Sequence, residues 1–511
     1  MSVVNTLASA VVKRRRVSFA IWALLAALVL PHTPGVEHRL EAASRIPGSD
    51  SERVAELMAS RFASPFARSA VLVVKGVTEP AGEAGQNVLR SIVAALESNA
   101  GVAGTFSLLD EPDDVFIGRN GGTFIVVGLK DSGGKVDSRL QSLRLTTAAL
   151  GPPLRATHPE VELLWTGEPA LNADLRRVSA EDANQAERRV LPLTLALLGL
   201  AFGAIMAALL PIGLGALAIA MTLGLVALLT RVFDASILVL NVATMLGLGL
   251  GIDYSLLLVS RYREARGRGL SSDDAAIESA SHAGQSVCLS GAAVVVGFLA
   301  LLLVPLTDLR SIGIAGALVT IVSVALATTL LPGVLASLGH RVEWGRVRSA
   351  PESARARDGR WRAWSRTIVR RPLLVLVVAG VPTGALAWQW RGLDTRTPGG
   401  DWLPPSIESA RGLRSLREME RSGVVQGIRL ILELPGGAPA RSPEGWEAMS
   451  RLTTVLQGNP GVARVRSLPA LLRGMPVALA PPALVAGFVS DDDRFALLEI
   501  MPAESPGIAS A

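Results

Sequence analysis

The sequence predicts an α-helical polytopic membrane protein that carries α+β domains outside the bilayer. Three observations predict it. Half of the 511 residues are hydrophobic, and the mean hydropathy is +0.41. The apolar residues fall in blocks long enough to cross a hydrocarbon core of about 30 Å. Between those blocks lie two stretches of mixed polarity in which strand-like and helix-like patterns alternate.

Seven blocks read as transmembrane helices: 17–30, 190–210, 212–230, 236–260, 286–306, 312–338 and 373–390. The first is short, is followed by Pro31 and His32, and lacks a small-residue cleavage site, so it reads as a retained anchor. The domain plan is a cytoplasmic N-terminus (1–16), a first span (17–32), an outer domain (33–188) and a five-helix bundle (189–339). A basic cytoplasmic segment (340–371), a seventh span (372–390) and a second outer domain (391–511) follow.

The first outer domain reads as strands at 70–74, 102–108, 123–128 and 161–166 with helices at 83–99 and 135–150. The order is β-α-β-β-α-β, the ferredoxin-like or split βαβ plan. Gly101 suits the end of the first of these helices, and a polar helix over 179–189 leads into the second span. The order then restarts. Arg370-Arg371 precedes an apolar run, as Arg14–Arg16 does. Leu403-Pro-Pro-Ser-Ile-Glu-Ser-Ala-Arg is similar to Ile46-Pro-Gly-Ser-Asp-Ser-Glu-Arg, and Asn459-Pro-Gly-Val-Ala-Arg-Val to Asn99-Ala-Gly-Val-Ala-Gly-Thr. The chain therefore reads as an internal duplication whose second copy stops after its third strand. That stop leaves an open sheet edge. It suggests a chain shorter than its functional unit, a pair with a second chain, or a homo-oligomer that rebuilds the missing part.

Net charge is +6 and the pI about 10.1. Lys13–Arg16, then Arg261, Arg263, Arg266 and Arg268, then ten arginines within 340–371 fall on one side if the N-terminus is cytoplasmic and the helices alternate. This points to a multi-pass plasma-membrane protein with a cytoplasmic N-terminus, and not to nucleic acid as a partner. Residues 355–371 also suit anionic lipid headgroups. The one cysteine, Cys288, excludes an intrachain disulfide and reads as a small buried apolar residue.

Asp253 is the only formally charged side chain in 236–260, and the only two tyrosines of the chain, Tyr254 and Tyr262, lie in or just after that run. A carboxylate at membrane depth costs at least a few kcal/mol, so Asp253 is expected in the interior of a helix bundle, where desolvation suits it to proton binding. Gly247 and Gly251, four apart, share a face for close helix approach. Tyr254 points to a different face from Asp253. Ser290, on the fifth span, is a candidate partner for Asp253, although a serine in a membrane helix more often bonds a carbonyl of its own helix.

Gly247-Leu-Gly-Leu-Gly-Ile-Asp-Tyr-Ser-Leu-Leu-Leu-Val-Ser-Arg-Tyr-Arg-Glu264 resembles the signature of the mycobacterial membrane protein large (MmpL) family, transporters of the resistance–nodulation–division (RND) superfamily. Ala283-Gly-Gln-Ser-Val-Cys-Leu-Ser-Gly291, Leu309-Arg-Ser-Ile-Gly313 and Leu330-Leu-Pro-Gly-Val-Leu-Ala-Ser-Leu-Gly339 resemble its next blocks, and Pro47-Gly-Ser-Asp-Ser-Glu-Arg53 and Thr166-Gly-Glu-Pro-Ala170 its first outer-domain motifs. The resemblance implies an RND-type duplication with twelve spans and two porter domains, here with the second repeat truncated. It implies a proton relay at Asp253, Tyr254 and Ser290, cross-bonded to an equivalent pair in the other half.

The implied function is export of lipid or another hydrophobic or amphiphilic cargo, driven by protons, with a second half-transporter chain or a homo-oligomer as candidate partner. The alternative is a non-transporting membrane scaffold or lipid-binding protein of the same descent. No G-x-x-x-x-G-K-[ST] phosphate loop points to ATP as the energy source, and no H-E-x-x-H motif or histidine spacing points to an enzyme, a metal or a cofactor.

Overall fold

The ends of the elements are set by glycine and proline breaks and by capping side chains. The computed structural model describes residues 3–40, 46–62, 64–119, 121–130, 136–233, 235–345, 363–390, 404–425, 427–472 and 480–503. Helices α1 (Val3–Lys13) and α2 (Arg15–Val29) open the chain, followed by α3 (Asp50–Arg61). The first α+β domain holds β1 (Ser69–Lys75), α4 (Glu83–Glu97), β2 (Val102–Phe106), β3 (Thr123–Leu129), α5 (Val136–Thr157) and β4 (Glu162–Thr166). Then come α6 (Glu168–Phe202), α7 (Ile205–Leu229), α8 (Leu238–Gly267), α9 (Ser272–Ala300), α10 (Thr307–Ala325), α11 (Leu331–Leu338) and α12 (Pro372–Gln389). The second α+β domain holds α13 (Glu408–Glu418), β5 (Ile428–Glu433), α14 (Pro443–Gln457), β6 (Val462–Arg466), α15 (Leu468–Leu472), α16 (Pro482–Phe488) and β7 (Phe495–Pro502).

Among the described residues, six helices are long and apolar enough to cross a membrane: Arg15–His32, Ile205–Leu229, Leu238–Gly267, Ser272–Leu303, Thr307–Glu343 and Pro372–Gln389. The protein is a multi-pass membrane protein. At the second span expected from the sequence, 190–210, the apolar helix segment is the shorter Pro192–Phe202. That segment is the end of α6, one 35-residue helix that also includes the polar stretch at 179–189. The boundary between the second and third spans is not at Pro211, which lies inside α7, but at Gly203. There the left-handed φ of 64° caps α6, a conformation glycine reaches at little steric cost. The expected N-terminal stretch 1–16 is itself largely helical, with Ala8 and Val12 buried. Most of the expected basic segment, 346–362, lies outside the described residues.

The first sheet has the strand order β2-β3-β1-β4 and the second β5-β7-β6, and every pairing is antiparallel. The two repeat each other in detail. β2 shifts register against β3 between Val102 and Gly104, and β6 against β7 between Val462 and Arg464. The turns entering these strands match too. Asn99 Oδ1 accepts from Gly101 N at 3.0 Å, and Asn459 Oδ1 from Gly461 N at 2.9 Å. β5 pairs on one side only, and among the described residues no strand stands where β4 flanks β1.

Each domain is completed by a helix from the other half of the chain. Met58 and Phe62, at the end of α3, are buried with Met449, Leu468, Phe488 and Leu497 of the second domain. Leu416 and Met419, at the end of α13, are buried in the core of the first. Glu408 accepts from Trp165 N at 3.0 Å, and Thr166 Oγ1 donates to the Ser409 carbonyl at 3.0 Å. Arg144 grips both oxygens of Asp174 at 2.8 Å and pairs with Glu408 at 2.9 Å. Burial pushes the Asp174 carboxyl up, but the hydrogen bonds from Arg144 and Ser409 outweigh it and hold the group below its ordinary range.

Candidate functional site

Two features gather the chemistry, one on the apolar helices and one between the two α+β domains. In the membrane, α8 approaches α7 through its glycines. A β-carbon on Gly251 would collide with Gly215 Cα, and one on Gly247 would stand 2.6 Å from Ile219 Cγ1. Without side chains at these points the backbones meet closely, so dispersion contacts replace the hydrophobic driving force that lipid does not supply.

Asp253 lies on a different face. Met245, Gly249, Asp253 and Leu257 are all exposed, and their spacing of four makes one stripe along α8. Within this chain's own bundle Asp253 therefore faces outward, not into the interior as the cost of a buried charge suggested. The physical reason is that α8 turns its small residues toward α7 and leaves the opposite stripe uncovered. Tyr254 is 7% exposed and belongs to the bundle core with Leu258, Val287 and Val322. Its hydroxyl stands 3.7 Å from the position a β-carbon would take on Gly291 of α9. Ser290, one residue earlier, is exposed. Its Oγ donates to the Val287 carbonyl of its own helix at 3.2 Å. The structure thus brings Tyr254 to the Ser290–Gly291 turn of α9, and it leaves Asp253 and Ser290 both exposed.

The same-side ends of the helices are tied by Arg263. Its Nε and Nη2 donate to Glu343 at 2.6 and 2.9 Å, and its Nη1 donates to the Phe202 carbonyl at 2.7 Å. The ends of α6 and α8 and the turn after α11 are therefore held together, and Arg15 pairs with Asp273 at the start of α9 at 2.9 Å.

Residues 43–375 match the model of the MMPL family. The chain belongs to the MMPL family. A putative membrane protein of Streptomyces coelicolor is 31% identical over 413 residues, 79% of this chain and 56% of the relative. The mycolic acid-containing lipids exporter MmpL11 of Mycolicibacterium smegmatis is 26% identical over 501 residues, 95% of this chain and 50% of that protein. The trehalose monomycolate exporter MmpL3 of the same organism is 35% identical over 173 residues, 34% of this chain and 17% of its own length. The chain spans about half the length of the first two relatives.

The second feature of this MMPL chain is a cavity of about 970 Å³ lined by residues of both sheets. Val71 and Val126 line it from the first sheet, and Arg429 and Glu499 from the second. Sequence reasoning missed it, because its walls come from strands more than 300 residues apart. The available signal was the departure of Val462-Ala-Arg-Val-Arg466 from Val102-Ala-Gly-Thr-Phe106, two arginines in place of a glycine and a phenylalanine. Among the described residues, no group of three or more His, Cys, Asp or Glu side chains is placed to hold a metal ion.

Proposed function

We propose that this chain is the first half of a proton-motive-force-driven exporter of lipids or other hydrophobic or amphiphilic molecules. The observation that carries the reading is Asp253, a carboxylate in the middle of an uncovered apolar stripe on a membrane helix. Left ionised against lipid it costs at least a few kcal/mol, so the stripe calls for a covering element that pairs with it. That element is a second half-transporter bundle, or a second copy of the chain. Proton uptake at Asp253 removes the charge and the pairing, and proton release restores both. Tyr254, packed over Gly291, passes the change to α9 and α10, and Ser290 sits at that contact. One charge crossing 100 mV supplies about 2.3 kcal/mol, enough to bias such an equilibrium.

In this reading the outer domains are porter domains of the ferredoxin-like plan. The cavity between them is the cargo chamber, and the N-terminus is on the cytoplasmic side of the plasma membrane, with Arg263 and the other basic residues. The exporter names of the relatives support a lipid cargo.

The test is flux of a fluorescent lipid from proteoliposomes that hold this chain with a second half and carry an imposed proton gradient. Asp253→Asn should remain in the membrane and lose gradient-driven flux. Undiminished flux in that variant would remove the relay. Lipid binding without flux in the parent protein would favour the non-transporting scaffold.

A further inference from the structure

The two outer sheets share a hydrogen-bonding plan and differ in chemistry. Their common bulge sets the correspondence: Gly104 stands where Arg464 stands, so Phe106 matches Arg466. By the same ladders Val71 matches Arg429 and Val126 matches Glu499. In the first sheet Val126 has Val71 and Phe106 as its cross-strand neighbours. In the second, Glu499 has Arg429 and Arg466. The cavity thus has one apolar wall and one wall bearing a cation–anion–cation row.

The balance of charge around the cavity is positive. Arg39, Arg68 and Arg176 also line the cavity, and among the described residues Glu168 is the only further carboxylate in the lining. Arg466 Nη1 donates to Glu499 at 2.7 Å, and its guanidinium lies 4.1 Å from the Phe106 ring centroid. Its Nε is buried without a hydrogen-bond partner. Arg429 donates through Nη1 and Nη2 to the Ala67 and Phe66 carbonyls at 2.9 and 2.8 Å, which fixes its fork at the seam between the domains. Guanidiniums gathered around one cavity repel one another, and a phosphate or carboxylate relieves this with charge-assisted hydrogen bonds. The opposite wall gives such an anion's hydrocarbon an apolar surface to lie on.

On the reading that this cavity is the cargo chamber, we propose that it selects an amphiphile with an anionic head group. The phosphate or carboxylate sits at Arg429 and Arg466, and the hydrocarbon lies on Val71 and Val126.

The test uses the whole chain in phosphatidylcholine nanodiscs and two diazirine-bearing probes of equal chain length, hexadecyl phosphate and hexadecanol, with crosslinks mapped by mass spectrometry. The phosphate should label Val126, Ile428 or Ile500 about tenfold more than the alcohol. Arg429→Gln should bring phosphate labelling down toward the level of the alcohol. Glu499→Gln removes the competing carboxylate and should raise it, a change a damaged fold would not produce. Equal labelling by the two probes, or phosphate labelling that neither variant changes, overturns the selection for charge while leaving the cavity as cargo chamber. Labelling by neither probe overturns both. Displacement of the alkyl phosphate by equimolar inorganic phosphate would show a simple anion site and overturn the amphiphile.

Discussion

Asp253 and Tyr254 are consecutive in the chain and meet different surroundings. The carboxylate lies on the open stripe of α8, and the ring is buried with its hydroxyl over Gly291. Successive residues of an α-helix are turned by about 100°, so one side chain meets whatever covers the stripe while the other meets the packed core. A change of charge at the first alters docking, and the second is positioned to convey it.

Tyr254→Phe separates packing from relay. The ring still fills its place between α8 and α9, so thermal stability in detergent should change by no more than about 1 kcal/mol. Gradient-driven lipid flux should fall sharply. Flux equal to that of the parent would confine Tyr254 to packing.

Gly251→Ala and Gly249→Ala should have opposite signs. A β-carbon at Gly251 meets backbone at Gly215 and forces α7 and α8 apart, whereas one at Gly249 has nothing within 4 Å. Overpacking at the first costs about 1–3 kcal/mol. The second gains up to about 1 kcal/mol of helix propensity. Melting temperatures of the two purified variants check this, and an equal response would place α7 elsewhere.

The Arg144–Asp174 pair should hold α13 on the first domain across the neutral range. Because the Asp174 carboxyl is depressed in the fold, its contribution is present above the unfolded carboxylate range, near pH 4, and is lost as pH falls through the lower folded value. Arg144→Ala leaves a 2% exposed carboxylate without its main partner and should cost about 3 kcal/mol. Hydrogen exchange at 408–418 reads both effects. Protection in that variant unchanged at neutral pH would show that apolar contacts alone seat the helix.

Arg263→Lys keeps the charge and should still loosen the helix ends. A lysine cannot reach both Glu343 oxygens and the Phe202 carbonyl with a planar fork. Proteolysis near 202–206 and 339–345 should quicken, with a stability loss of about 1–3 kcal/mol. An unchanged cleavage pattern would mean that the positive charge alone suffices there.

Much of the membrane part was legible because the bilayer imposes a length and an apolarity on each span, and α8, α9 and α10 carry both. The boundary of the second span was misplaced because Pro211 is a visible break in sequence, yet it lies past the first turn of α7, which continues through it at the loss of one internal hydrogen bond. The left-handed turn at Gly203 is one glycine among fifty. The repeated strands were legible from Asn99 and Asn459, whose turns are local and so are encoded locally.

The sequence by itself determined which segments leave water, which alternate as strands, and that one acid stands among apolar neighbours, since each of these is a property of residues close together in the chain. Only the tertiary structure decided that Asp253 faces away from its own bundle, that α3 and α13 complete each other's domains, and that Val71 and Val126 look across a cavity at Arg429 and Glu499. Those relationships depend on which surfaces bury one another, and burial is settled between distant segments at once, by packing and charge pairing that no local pattern records.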